Sequence, residues 1–580
     1  MRIHHSWIGA VLLFLFVFDT YAQKETLVYL EQCETLSFDE NLHPGAQLLK
    51  GNVRFRHEDA LMYCDSAYFY EKENSFDAFG HIRFLQGDTL SGYGDVLYYN
   101  GAEKIARLRH NVKLINRSTI LTTDSLNYDR VNDIAYYFGG GKLQDTLNVL
   151  TSKWGQYTPY NSQAVFREDI TLKHPKFTLW ADTLKYNTET HIADLQGPTR
   201  IEYGDETTIL STSGWYNTQT ENTLLKNRSR IIHSNGKTLT GDSLFYDKRL
   251  GYGEVRNRFE MTDSIRKATL YGNYGEVYED GKRGYATDSA LFVDWSGEDW
   301  LYMHADTLFT EEVPYQDFIV LLPDSVAADS VSALTPDTIW KDSAYQRMRA
   351  YYGVQVFRAD MQMKCDSLTY NDRDSVMLLC GSPVCWSDEN QVSADSIYVY
   401  MKGEKVDYAH GIGNALMVKQ EEEDKFDQMA GKEMFAYLQE GELRRIEVNG
   451  NAETIFFPRE DDGSFIGVNK TQSSYIKIFL QDKKIHHIVF TAATTGSMHP
   501  LDSLSAEDAR LTGFFWADDI RPKTPGDVFR SHPKQATIQT ANADTPQSDS
   551  KKQDNKKSTT TRNSALQSNK KTKSATLSKQ

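Results

Sequence analysis

The chain has 580 residues and a formal charge of −16, with 33 Tyr, 28 Phe and only 14 Pro. From Ser531 onward ten Lys or Arg stand against three Asp, so the rest is more acidic than the total suggests, which argues against nucleic acid as a partner. Five cysteines (Cys33, Cys64, Cys365, Cys380, Cys385) are too sparse for a disulfide framework; a Cys380–Cys385 bridge and buried free thiols both fit the spacing.

In chain order, the first element is a secretory signal peptide. Arg2, His4 and His5 precede an apolar run from Trp7 to Phe18, and Thr20-Tyr21-Ala22 places small residues at the −3 and −1 positions. Cleavage between Ala22 and Gln23 is expected, and the run is too short for a retained transmembrane helix.

A repeat of about 29 residues then sets the organisation. One element reads Asp-Ser/Thr-Leu-x-Tyr or a close variant, at Asp65, Asp95, Asp124, Asp182, Asp242, Asp366 and Asp395. In phase with it run apolar pairs two residues apart: Val53/Phe55, Ile82/Phe84, Val112/Leu114 and Ile170/Leu172. Polar residues such as Arg54, Arg83, Lys113 and Thr171 lie between them, and this alternation describes strands with one buried face. A unit so small must stack on its neighbours. The expected fold is all-β, an elongated stacked antiparallel jelly roll, solenoid-like.

The periodicity lapses after Pro314 and resumes near Tyr351, and it stops after Phe515-Trp516. The expected division is therefore 1–22 signal peptide, 23–313 β repeats, 314–345 acidic disordered insertion, 346–516 further β repeats, and 517–580 basic low-complexity disordered tail.

The repeated Asp is either a cation-binding column or a set of corner residues accepting backbone N–H bonds, and the corner reading is preferred because no glycine-rich calcium-binding nonapeptide accompanies it. The Asp shares strand parity with residues that look buried, which requires a bulge or corner beside it. Gly236-Lys237-Thr238 lacks the earlier glycine of a phosphate loop, and His486-His487 has no second ligand pair. No catalytic motif, metal site or cofactor site is found, so a non-enzymatic role is expected.

Leu48-Leu49-Lys50-Gly51-Asn52-Val53-Arg54-Phe55, a strand ending in Cys64-Asp65-Ser66-Ala67, and Gly80-His81-Ile82-Arg83-Phe84 together resemble the OstA-like repeat. That family includes the lipopolysaccharide-transport bridge LptA and the N-terminal domain of LptD. The resemblance implies a V-shaped jelly roll whose apolar inner groove holds the acyl chains of lipopolysaccharide (lipid A), with open end strands that join other transport components or a second copy edge to edge. It also implies a periplasmic location, in association with the outer membrane. Val53, Phe55, Ile82, Phe84, Val112, Leu114, Ile170 and Leu172 are the expected groove residues. The chain is longer than an LptA-type bridge and shows no C-terminal membrane barrel pattern. A structural or adhesive surface solenoid is the second reading, and a carbohydrate-active β-helix enzyme the third.

Overall fold

Period-two alternation makes strands, and in the computed structural model every regular element among the described residues is a β-strand or a short 3-10 turn. The structure describes residues 26–530 apart from 40, 42, 280, 322–336, 404, 461 and 483. The expected signal peptide and the chain from Ser531 lie outside the described residues. The 34 strands join into one sheet, and most pair antiparallel with their neighbours in sequence. Gln47–His57 pairs with Ala60–Tyr70, that strand with Ser75–Gln86, and that one with Leu90–Asn100. Two successive strands make one 29-residue repeat.

Each long strand bends near its middle, where the register shifts. Gly51 and Asn52 lie between the pairs Lys50↔Ser66 and Val53↔Cys64 and so oppose the stretch around Asp65, the two-against-one pattern of a bulge. The inserted residues are left-handed, as at Gly80 (φ 78°) and His81 (φ 44°), and the same doublet recurs at Asn227-Arg228, Asn257-Arg258 and Gly413-Asn414. At Gly80 a Cβ would also collide with the Asp65 side chain, so the site needs glycine twice over.

The bend solves the parity problem. Along Ala60–Tyr70, Ala60, Met62 and Cys64 are buried before the corner, and Ala67 and Phe69 after it. Asp65 stands outside, between the two leaves into which the bends fold the sheet. Leaf A holds the half-strands exemplified by Ala67–Tyr70 and leaf B those exemplified by Ala60–Cys64. Their inner faces meet: Phe55 of leaf B stacks on Phe76 of leaf A at 4.0 Å, and Phe84 of leaf B meets Tyr128 of leaf A at 5.7 Å. One apolar core runs between the leaves from Val28 to Ile478.

The corner carboxylates are compensated, but by side chains rather than by the expected backbone N–H groups. Asp65 pairs with His81 (2.7 Å), Asp95 with Asn111 (2.6 Å) and Asp242 with both guanidinium nitrogens of Arg258 (2.8 and 2.7 Å). In these three the partner is a residue of the left-handed doublet on the next strand, so each of the three binds across the bend, while Asp124 meets His110 of the preceding strand (3.3 Å). Among the described residues no group of three His, Cys, Asp or Glu is placed to hold a metal ion.

Two expected boundaries move. The flanks of the 314–345 insertion are paired strand, because Leu301–Leu321 and Asp337–Arg358 run antiparallel out to Leu321↔Asp337. Their Thr, Ile, Val and aromatic content suits strands even though the 29-residue period has lapsed. Residues 322–336 lie outside the described residues. The tail expected from 517 starts later, since a strap of chain, 500–530, packs back over the outer face of leaf B. Leu501, Leu504 and Leu511 cover Ile455, Phe457 and Val468; Phe514 and Trp516 cover Leu416, Val418 and Phe426; Ala517 sits on Val384 and Trp386. Buried glutamines of leaf B grip the strap backbone. Gln391 donates to Phe515 O (2.7 Å) and accepts from Ala517 N (2.8 Å), and Gln428 does the same with Ala509 O (2.9 Å) and Leu511 N (2.8 Å). An amide side chain offers one donor and one acceptor at the spacing of a peptide unit, so each glutamine replaces a missing ladder strand.

Candidate functional site

The V is open on the side away from its corners, and what fills that mouth changes along the stack. In the first half the inner row of leaf A nearest the mouth alternates large and small residues: Tyr99, Ala106, Tyr128, Ala135, Tyr157, Ala164, Tyr186, Ala193, Tyr216, Thr223, Tyr246. The tyrosines recur every 29 or 30 residues, and all are buried. Burial pushes the phenols of Tyr99, Tyr128, Tyr186 and Tyr216 upward, and that of Tyr137 in the same region to about 12.

Their hydroxyls are tied across the mouth. Tyr99 OH meets His57 Nδ1 at 2.7 Å and accepts from Arg130 (2.8 Å), whose other nitrogen reaches Asp59 (2.7 Å). Lys104 reaches Glu58 (2.6 Å), Asn116 donates to Tyr157 OH (3.0 Å), Tyr186 donates to Asp145 (2.5 Å), and Tyr216 pairs with Tyr203. Burial, then the Arg130 charge, holds the His57 ring below the usual histidine range, so it remains a neutral link. This half is locked shut.

Beyond Tyr246 the row continues as Gly253, Val277, Gly284, Thr310 and Met348 before the half-buried Tyr370, so the fully buried plugs lapse over this stretch. A cavity of about 590 Å³ opens there between the leaves. Its walls are Met261, Leu270, Phe292, Leu301, Met303 and Val356 from leaf B, with Met348, Leu368, Tyr370, Met377 and Met401 from leaf A. Methionine is unbranched and flexible, so a Met-lined wall adapts to chains of different shape. The rim carries Lys237, Arg266, Arg358 and Lys405 together with Asp263, Asp294, Asp299, Asp360 and Asp372. Arg358 is held by Asp360 (2.6 Å), and Lys237 donates to Gly281 O (2.7 Å) across the mouth. Burial pulls the Lys237 ammonium below its ordinary range.

The eight expected groove residues sit elsewhere. Val53, Phe55, Ile82, Phe84, Val112, Leu114, Ile170 and Leu172 do form one inward stripe on leaf B, as the repeat implies, but each is at most 2% exposed and none lines the cavity. They are sealed by packing against the locked half. The cavity methionines went unnoticed in the sequence. The signal that marks them is the end of the buried tyrosine series at Tyr246 and the appearance of methionine at Met261, Met303, Met348 and Met377. All five cysteines are free, Cys380 and Cys385 included, and burial pushes the Cys385 thiol up to about 12. His486 and His487 contact each other at 2.8 Å on an exposed strand.

The two ends of the stack are strand edges. Among the described residues, Tyr29–Gln32 and Thr35–Phe38 pair only with Gln47–His57, and Leu27, Tyr29, Leu36 and Phe38 are exposed. At the other end Lys484–Thr491 and Thr495–His499 pair only with Val468–Gln481, and Val489, Phe490 and Met498 are exposed.

A left-handed doublet at the corner with a bent strand on either side, often with an Asp opposite it, recurs within residues 47–258, and a family model matches part of this region. The match spans residues 25–182. The matched family is described as OstA-like protein, and the match lies within the locked half, ahead of the cavity. Among solved structures, the chain is similar to the crystal structure of LptH, the LptA homologous periplasmic component of the lipopolysaccharide transport device from Pseudomonas aeruginosa. That similarity is 12% in sequence identity with a TM-score of 0.20, covering 24% of this chain and 99% of LptH. No curated protein matches.

Proposed function

We propose that this protein is a non-enzymatic periplasmic carrier of lipopolysaccharide toward the outer membrane, holding acyl chains between the two leaves where the tyrosine plugs end. The observation that carries the reading is the coincidence of two features: the fully buried tyrosines of the leaf A row stop at Tyr246, and an apolar, Met-lined cavity begins at the same place. Each methylene buried there contributes about 0.8 kcal/mol, so about ten carbons of acyl chain are needed for micromolar binding. Rim cations such as Lys237 and Arg266 suit the phosphates of lipid A, although the rim carboxylates, Glu298 among them, outnumber the cations. The OstA-like match over residues 25–182 supports the same assignment, since the resemblance implies lipopolysaccharide transport. The exposed edges at both ends supply unpaired backbone for β-augmentation by other transport components or a second copy.

The sealed first half favours a second reading, a structural solenoid with a filled core throughout. Photo-crosslinking separates the two. A crosslinking residue at Met303 or Met348, in protein expressed in its own envelope, is expected to capture lipid A, whereas one at Phe84 is not. Mass spectrometry of the gently purified protein provides the second readout. A folded protein with no lipid at Met303 or Met348, and none copurifying, leaves the solenoid reading standing.

A further inference from the structure

The outer face of leaf B carries a second, unassigned feature. One file of paired positions crosses the first half of the stack from strand to strand. On alternate strands it holds Arg54, Arg83, Lys113, Lys142, Arg200 and Arg230. The interval is two strand spacings, roughly 10 Å, except from Lys142 to Arg200, where Thr171 takes the intervening place and the gap is roughly 20 Å. Arg54 is paired with Glu31 (2.8 Å) and Arg200 with Glu202. Arg83, Lys113, Lys142 and Arg230 have no ion-pair partner among the described residues, in a chain of net charge −16. Between the cations stand Tyr63, Tyr93 and Trp180, with the Arg83 guanidinium over the Tyr63 ring at 5.7 Å. Around Trp180 (39% exposed), Arg200 and Arg230 the face is dished to about 690 Å³.

We infer that this file binds an extended acidic polysaccharide lying across the strands. The same face further along takes a linear segment in just that direction, since the strap crosses leaf B over Gln391 and Gln428. Those clamps read a peptide backbone. In the bare half no file position from Arg54 to Arg230 is Asn or Gln, and cations and aromatic rings stand there instead. Regularly spaced cations answer regularly spaced carboxylates, and exposed ring surface packs against the C–H faces of sugars, so the chemistry is that of an anionic glycan rather than a peptide. A flat bilayer touches only part of a twisted face, whereas a flexible chain follows it.

The test uses the purified mature protein with alginate, a linear carboxylated polysaccharide, followed by calorimetry at several salt concentrations. Neutral dextran, poly-L-glutamate and phosphatidylglycerol vesicles are run alongside. Alginate is expected to bind in preference to all three, with affinity falling as salt rises. Combining Arg83→Glu, Lys113→Glu, Lys142→Glu and Arg230→Glu should weaken it by about tenfold or more, and Trp180→Ala severalfold. These side chains are exposed or half-buried and none lines the interior cavity, so thermal stability and lipid uptake serve as controls that stay unchanged. Equal binding of dextran, tighter binding of poly-L-glutamate or vesicles, or an unaffected quadruple variant each overturns the inference.

Discussion

Thr310→Tyr restores a plug where the series stops. Thr310 lies in the mouth row between Gly284 and Met348 and lines the cavity, so a phenol there points into space that other repeats already fill with tyrosine. A buried tyrosine covers about 150–250 Å², at most about 4–6 kcal/mol of apolar burial. The substitution loses the bond that Gln346 donates to the Thr310 hydroxyl, about 1 kcal/mol, and spends further energy ordering the ring. The net effect on stability is expected between zero and about 2 kcal/mol in favour of the variant. Lipid binding moves the other way. If the ring displaces only two or three methylenes, about 2 kcal/mol is lost, a fall of about 30-fold in affinity. Displacement of a fluorescent diacyl lipid measures the affinity, and a melting curve measures the fold. A variant that melts no lower yet binds lipid as tightly as the parent refutes the cavity as the acyl site.

Phe84→Glu, fully enclosed against Tyr128, should cost several kcal/mol and yield aggregated or unfolded protein, whereas an open groove there would tolerate it; soluble yield and far-UV dichroism decide. Asp427 is half-buried beside the Phe457 N–H, and desolvation pushes its pKa from 3.8 up to about 7. The folded state therefore holds a proton that the unfolded state has released, so stability should fall as pH rises from about 3.8 to about 7 and then level off. Asp427→Asn should flatten that slope, seen as melting temperature against pH. Gln428→Ala removes the clamp on Ala509 and Leu511 and should destabilise the strap by about 1–3 kcal/mol, read as faster amide exchange at Leu511 with the Tyr99–Tyr246 half unchanged. Leu36→Lys with Phe38→Lys places charge on the exposed N-terminal edge and should reduce end-to-end association in sedimentation without lowering the melting temperature.

The repeat was legible because its physics is local. Val53/Phe55 and Ile82/Phe84 alternate with polar residues, and each inward side chain is buried as the pattern requires. The corner was half legible: Gly51-Asn52 and Gly80-His81 announced turn chemistry, but the Asp65–His81 bond spans two strands and no single-strand pattern contains it. The strap was invisible for a related reason. Gln391 and Phe515, 124 residues apart, meet only after folding, and the 29-residue grammar says nothing of 500–530. Which inward residues face open space was not legible because every inward apolar residue looks alike in sequence. Phe84 and Met303 are both inward, and what separates them is whether the row opposite carries Tyr128 or Thr310.

That distinction bears on how a repeat protein acquires a binding site at all. In a stack, each unit contacts only its neighbours, so a change of residue in one row alters the interior locally and leaves the rest folded. The tyrosine row shows the consequence. With Tyr99 to Tyr246 in place, the leaves are pinned by hydroxyl bonds and charge pairs across the mouth, and that half is a stiff strut. Exchanging the large positions for Val277 and Thr310 removes both the filler and its cross-mouth bonds, so the same backbone both gains volume and loses its lock. Leaf B behind the cavity has its outer face held by the strap, where Phe529 packs on His304 at 4.6 Å and Gln355 donates to Arg530 O at 2.9 Å. Those contacts lie on the strands that carry Met303 and Val356, so a wall deprived of support from inside is braced from outside. An empty apolar cavity costs stability in proportion to its size, and an external brace is one way a fold carries that cost while the cavity stays open to a ligand.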